Sequence, residues 1–245
     1  MRQRTAKDLL KIRWDHPVFV HPDDRKARAT GETIAKRLRE ALPRDKAMGE
    51  IRGKDLRPLL IVRECGECKG TDDALLSRTL SNEKTLLMAR WFHCVKLPKN
   101  VLASDHPFRN TFDEEDPTHL FLASWDGKTV IPMSGVYTQR DLWDAMNSIL
   151  GNAYERDPEQ ALDEWRRILD ESDTIDSMQA LYEDQYDAEI ERKGPKSRKL
   201  KKILKRLDEV KERRDQLDVR RVKVTDLGLK RAKKAAAELV QLKDC

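Results

Sequence analysis

Leu59-Leu60-Ile61-Val62-Arg63-Glu64-Cys65-Gly66-Glu67-Cys68-Lys69 opens with four apolar residues in a row. A continuous run of that length predicts a short strand buried on both faces. The run delivers Cys65 and Cys68, two residues apart, into a helix start. At a helix N-terminus, two thiols at that spacing can close a small disulfide and share one reactive thiolate. Dithiol chemistry is therefore the first expectation.

Downstream, Thr71-Asp72-Asp73-Ala74-Leu75-Leu76 places acids in a first turn and predicts a helix. Ser81-Asn82-Glu83 is a second cap-like cluster, after which Leu86, Leu87 and Trp91 continue helical spacing. Phe92 to Leu97 predicts a second strand, ended by Pro98. Residues 99–116 predict a loop with one helical turn, closing on the acidic run Asp113-Glu114-Glu115-Asp116. Two runs, Pro117 to Ser124 and Thr129 to Pro132, flank Asp126-Gly127, a strong hairpin signal. Asp141, Leu142, Trp143, Ala145, Met146, Ile149 and Leu150 then predict an amphipathic helix.

The resulting order is strand, cysteine pair, helix, strand, loop, hairpin, helix. In that order residues 56–151 resemble a thioredoxin-superfamily domain. Arg57-Pro58 precedes the first strand, Cys65-Gly66-Glu67-Cys68-Lys69 occupies the dithiol position, and Asp116-Pro117-Thr118 stands where the family presents a cis-proline beside the cysteines. The break at Ser81-Asn82-Glu83 resembles a subgroup in which the helix after the dithiol is divided in two. The chain departs from the family pattern in having no tryptophan before Cys65, no buried acid among Leu59 to Val62, and a charged Asp116 before the proline. The resemblance implies thiol–disulfide exchange on protein substrates, with Cys65 as nucleophile and Cys68 as resolving thiol. Pro117 and Asp116 would then form the substrate-binding edge, with no cofactor.

Upstream, Asp23 or Asp24 opens a candidate helix through Ile34, Leu38 and Leu42, closed by Pro43. Trp14, Val18, Phe19 and Val20 predict an extended segment docked on the core. Residues 1–55 are accordingly expected to be an N-terminal helical decoration of an α/β thioredoxin-like domain.

Composition is divided along the chain. Charged residues make up 38% and hydrophobic residues 38%, with 6% aromatic, so a good core requires the apolar residues to be concentrated. They are concentrated between residues 56 and 150. No apolar run nears the roughly 20 residues that span a bilayer, and no signal-peptide core follows the basic N-terminus, so no membrane partner and a cytoplasmic location are expected. Four cysteines in a reducing compartment argue for redox or metal chemistry rather than a disulfide framework. Charge falls in blocks: residues 1–150 carry net +4, residues 151–192 net −10, and residues 193–245 net +11.

Residues 152–245 predict an all-α extension. Leu162, Trp165, Ile168 and Leu169 form one stripe; Ile175, Met178, Leu181, Tyr182 and Ile190 a second; Leu200, Ile203, Leu204, Leu207, Val210 and Leu217 a third of near-heptad spacing. Lys193-Gly194-Pro195-Lys196 divides the second from the third. Residues 174–218 thus predict an antiparallel, coiled-coil-like hairpin with an acidic and a basic arm. Val219 to Val224 reads as a short strand or linker and Leu229 to Leu242 as a last helix. The dense cations from Lys196 to Arg206 suit a phosphate backbone, but residues 193–245 hold no aromatic for base stacking and the acidic block is there to neutralise them. Self-pairing is the better account of them, with self-association or a protein partner ahead of nucleic acid.

Two alternatives accompany the dithiol reading. His93-Cys94 offers the atom types for a metal site with Cys65 and Cys68. Adjacent strand residues point to opposite faces, however, which favours Cys94 as a small buried residue and no metal. His119 lies beside the proline loop and reads as an exposed strand residue. The alternative function is a non-catalytic thioredoxin-like scaffold whose helical extension recruits a partner.

Overall fold

The computed structural model describes residues 2–21, 40–65 and 74–232. It divides into two units, one of residues 12–155 with 228–245, the other of residues 1–11 with 156–227. Residues 2–11 thus join the helical extension rather than decorating the sheet, and residues 228–232 return to the sheet unit.

The sheet unit is α/β, with a four-stranded mixed sheet. Its strands are β1 (Leu59–Arg63), β2 (His93–Leu97), β3 (Leu120–Ala123) and β4 (Val130–Met133), in the order β2-β1-β3-β4. β1 runs parallel to β2, with Leu59 opposite His93, and antiparallel to β3, with Leu60 opposite Leu122. β3 and β4 form the antiparallel hairpin, with Phe121 opposite Pro132. Pro132 lacks an N–H to donate, which an edge strand tolerates. The outer edge of β2 is covered by Asp15, whose N–H donates to Cys94 O at 2.8 Å and whose carbonyl accepts from Lys96 N at 2.9 Å. That covering segment matches the docked extended stretch read around Trp14, and Phe19 packs on the core.

Because β1 and β3 are central, both faces of each are covered, and Leu59 to Val62 and Leu120 to Ala123 are all buried. Leu59, Ile61, Val95, Leu97 and Phe121 share one face with Met48 and Ile51 of a helix over Arg44–Arg52 and with Phe108 and Phe112. Leu60, Val62 and Leu122 alternate onto the other face.

Among the described residues the helices are α1 (Arg4–Leu9), α2 (Arg44–Arg52), α3 (Glu83–Ala89), α4 (Gln139–Ala153), α5 (Pro158–Lys193) and α6 (Arg198–Thr225). α2 starts where Pro43 was expected to end a helix. Pro43 instead stands at the N-cap, the one region of a helix where a missing N–H costs nothing. The predicted helix through Ile34 and Leu38 lies outside the described residues. Two 3₁₀ turns, Lys99–Leu102 and Arg109–Thr111, occupy the stretch read as a loop.

The helix expected from Thr71 is corrected for its described part, since residues 74–82 are turns and bends. Asn82 organises them by accepting from Ser77 N at 2.8 Å and donating to Ser77 O at 2.7 Å. These bonds occupy its side chain, and α3 begins at Glu83 without a side-chain cap. α4 starts with a full capping box between Thr138 and Asp141. The hairpin turn is as read, with Gly127 at φ 71°. A Cβ there would also meet the Met48 side chain at 3.3 Å.

The helical unit holds α1, α5 and α6. α5 has 36 residues, a length of about 54 Å. Asp157 caps it with Pro158 in the first turn, and Gly194 at φ 74° ends it. Ser197 caps α6. The helices are antiparallel: Arg220 pairs with Glu171 at 2.6 Å, Arg214 with Asp176 at 3.0 Å, and the Arg206 guanidinium lies 5.5 Å from the Tyr182 ring centre.

Buried or half-buried positions on α6 recur at Leu200, Ile203, Leu207, Val210, Arg214, Leu217, Arg221 and Val224, alternating steps of three and four. That is a seam of heptad type. It corrects three expectations. Leu204 flanks the seam and is 45% exposed, and Leu181 of α5 is likewise 52% exposed. Val219 to Val224 is neither strand nor linker, because the same spacing carries α6 on to Thr225.

Candidate functional site: the carboxyl end of strand β1

Hydrogen bonding along β1 continues beyond its last residue, with Glu64 N donating to Leu97 O at 2.9 Å. Cys65, the next residue, is half-buried and stands just outside the carboxyl ends of the two parallel strands. In open α/β sheets that is the usual position for a ligand crevice. Gly66 to Lys69, and with them Cys68, lie outside the described residues, as does the first part of the expected helix.

The 117–119 segment is brought to the same place from the opposite side of β1. Arg63 N donates to His119 O at 2.8 Å, and the Arg63 guanidinium donates to Pro117 O at 3.1 Å and Thr118 O at 3.4 Å. A guanidinium two residues before Cys65 therefore fixes the backbone of the predicted substrate-binding edge. Pro117 is half-buried, Thr118 buried and Asp116 exposed. The Asp116–Pro117 bond is trans, which corrects the cis-proline expected there.

Arg63 is the residue that sequence reasoning undervalued. Its contacts make it the tie between the cysteine strand and the proline segment. The available signal was a lone cation ending an apolar strand directly before the cysteines. His119, expected to be exposed, is half-buried, and its Nδ1 is buried without a hydrogen-bond partner among the described residues. Burial, with a smaller contribution from Arg63, holds its pKa below the usual histidine value. A neutral imidazole is the favoured form beside the site.

The other described cysteine has the opposite environment. Cys94 is buried, its thiol donates to Ala89 O at 3.2 Å, and burial pushes its pKa up to about 12. It is the small buried residue that its strand position implied. Its neighbour His93 is engaged by Asp15, with Nε2 at 3.0 Å from Oδ2. Among the described residues no group of three His, Cys, Asp or Glu side chains is placed to hold a metal ion, and no helix is long and apolar enough to cross a membrane.

No protein-family model, curated protein or solved structure matches this chain.

Proposed function

We propose that the sheet unit is a thioredoxin-like domain that exchanges disulfides with protein substrates through Cys65 and Cys68. The observation that carries this reading is the place of Cys65: it follows the central strand at its carboxyl end, beside a Pro117–His119 edge held by Arg63. The parallel β1–β2 pair, the antiparallel β3–β4 hairpin and the covering α4 support the fold that the resemblance implies.

The Cys65 thiolate attacks one sulfur of a substrate disulfide. A mixed disulfide forms, and the other substrate sulfur leaves as a thiolate that takes up a proton. The Cys68 thiolate then attacks Cys65 Sγ, releasing the second substrate sulfur. Two electrons pass to the substrate while the Cys65–Cys68 disulfide forms, and the reverse sequence oxidises a dithiol. The Arg63 cation favours the thiolate of Cys65, and Glu64 opposes it. The exposed main chain of Asp116, positioned by the Arg63-held Pro117, offers hydrogen-bonding groups to an extended substrate peptide.

The test is equilibration of the full chain with glutathione, together with reduction of insulin disulfides by the parent chain and by Cys65→Ser and Cys68→Ser. A reversible intramolecular disulfide is expected, with activity lost in Cys65→Ser and a trapped mixed disulfide in Cys68→Ser. Two inert thiols, or activity unchanged in Cys65→Ser, would sink the reading.

A further inference from the structure

We propose that two copies of this chain associate through the turn end of the helical hairpin. The acidic outer face of α5 in one copy lies on the basic outer face of α6 in the other.

On α5, Asp184, Asp187 and Glu191 are exposed and spaced by three and four, so they form one stripe. On α6, Arg198, Lys201, Lys202 and Lys205 do the same. The register set by Glu171–Arg220 and Asp176–Arg214 brings Asp184 level with Arg206 and Glu191 level with Lys199. The two stripes therefore run side by side over the same length of the rod. Within one hairpin they do not meet, because the seam lies between them and each faces outward. Among the described residues Asp184, Asp187, Glu191, Arg198, Lys201 and Lys202 make no ion pair, and Lys205 reaches only Glu209 of its own helix, at 4.0 Å.

Two further observations describe the partner, the first calling for an anionic surface and the second for a protein rather than phosphate. The first turn of α6 holds no acid and begins with Arg198, Lys199 and, one turn in, Lys201, which places cations against the positive end of the helix dipole. The hairpin's own stability would select the reverse. Each stripe also carries one exposed leucine, Leu181 three residues before Asp184 and Leu204 three after Lys201. An apolar group within a charged stripe fits a protein face and has nothing to do opposite a sugar–phosphate chain.

Charge also selects the geometry. With both turns at the same end, the acidic stripe of one copy lies along the basic stripe of the other over its whole length, a contact between two different faces.

Sedimentation velocity on the full chain tests this, with D184K/D187K/E191K, R198E/K201E/K202E and the variant combining both sets. The parent is expected to dimerise at about 0.05 M salt and to bind itself at least about tenfold more weakly at 0.5 M, where screening shortens to a few ångström. Each three-site variant alone is expected to be monomeric. Their equimolar mixture is expected to form a one-to-one dimer, and the combined variant to dimerise again. The combined variant, with helix content read by circular dichroism, separates a lost interface from a lost fold. A parent monomeric at low salt overturns the proposal, as does a mixture that stays monomeric while the combined variant is folded. A monomeric parent that binds polyuridylate with a steep salt dependence would reassign the basic face to nucleic acid. None of these outcomes depends on the cysteines.

Discussion

Strand β1 and helix α6 are both placed by burial, through opposite patterns. β1 buries four residues in succession and holds no charge among them, because sheet neighbours and both covering layers surround it. α6 buries every third and fourth residue and admits Arg214 and Arg221 to its seam positions. The strand is held by partners from 34 to more than 60 residues away, as with Leu59 opposite His93 and Ala123. The helix is held by its own ladder of hydrogen bonds and one antiparallel neighbour. A strand buried on both faces is a stiff mount for the reactive side chain that follows it. A seam that tolerates charge leaves outer faces free to be acidic or basic.

Truncation should separate the two patterns most strongly. Leu60→Ala opens a cavity in a core with no exposure, and we expect a loss of about 2–5 kcal/mol in denaturant unfolding. Leu204→Ala on the flank of the α6 seam should change stability by less than about 0.5 kcal/mol. Similar losses at both sites would show that Leu204 is buried in solution, which is also what a paired hairpin predicts at high protein concentration. Dilution distinguishes these, since only the paired state responds to it.

The contrast also sorts the two described cysteines by pH. Cys94 has a folded pKa of about 12 against 9.0 for the free thiol. A folded value above the unfolded one means that the native state binds more protons between the two. The contribution is complete below about pH 9 and declines as pH rises toward 12. Stability should therefore fall across that alkaline window in the parent and less so in Cys94→Ala. At neutral pH an alkylating reagent should modify Cys65 and leave Cys94 untouched in the folded chain. Rapid labelling of Cys94 would break the distinction between a mounted and a buried thiol.

Much of this was legible from local chemistry. Leu59 to Val62 announced a buried strand, and Asp126-Gly127 announced the turn between β3 and β4, where Gly127 supplies the positive φ. Leu200, Ile203, Leu207 and Val210 announced the seam. The misreadings have physical causes. The valines at 219, 222 and 224 resemble a strand once Arg214 and Arg221 interrupt the apolar spacing, although aliphatic stems serve a seam well. Leu181 and Leu204 fit a stripe counted in fours and miss one counted in alternating threes and fours. At the candidate site the position of Cys65 was readable from the strand that carries it. The Arg63 bonds to Pro117 and Thr118 were not, because a guanidinium meeting carbonyls more than 50 residues away leaves no local pattern.

The docking of α1 was equally hidden. Gln3 provides no side-chain cap, and carboxylates from α5 serve instead: Gln3 N donates to Asp173 at 2.6 Å and Thr5 N to Asp176 at 3.0 Å. Burial alone would raise the Asp176 pKa, but the bonds from Thr5 and Arg214 outweigh it and hold the group below the usual value. Its stabilising contribution is therefore present above about pH 4 and is lost as pH falls further. Asp176→Ala should lower stability by about 1 kcal/mol, in the range of a lost cap, and speed proteolysis within the first eleven residues. Unchanged proteolysis would show that α1 is held by packing alone.

The smallest effect belongs to Arg220 and Glu171, which meet at 2.6 Å with both side chains nearly half exposed. Water screens the pair and ordering two long side chains opposes it, so a double-mutant cycle should give a coupling of about 0.2–1 kcal/mol. The coupling should shrink further in high salt. Its size matters because this pair sets the hairpin register from which the levels of the acidic and basic stripes follow. If the cycle gives no coupling while Asp176 and Arg214 remain coupled, the register rests on the buried positions alone. Reversing both charges at once should then leave stability unchanged. If instead the coupling exceeds that of Asp176 and Arg214, charge orders the outer hairpin as well as decorating it, and the division between an apolar mount and a charge-tolerant seam must be redrawn.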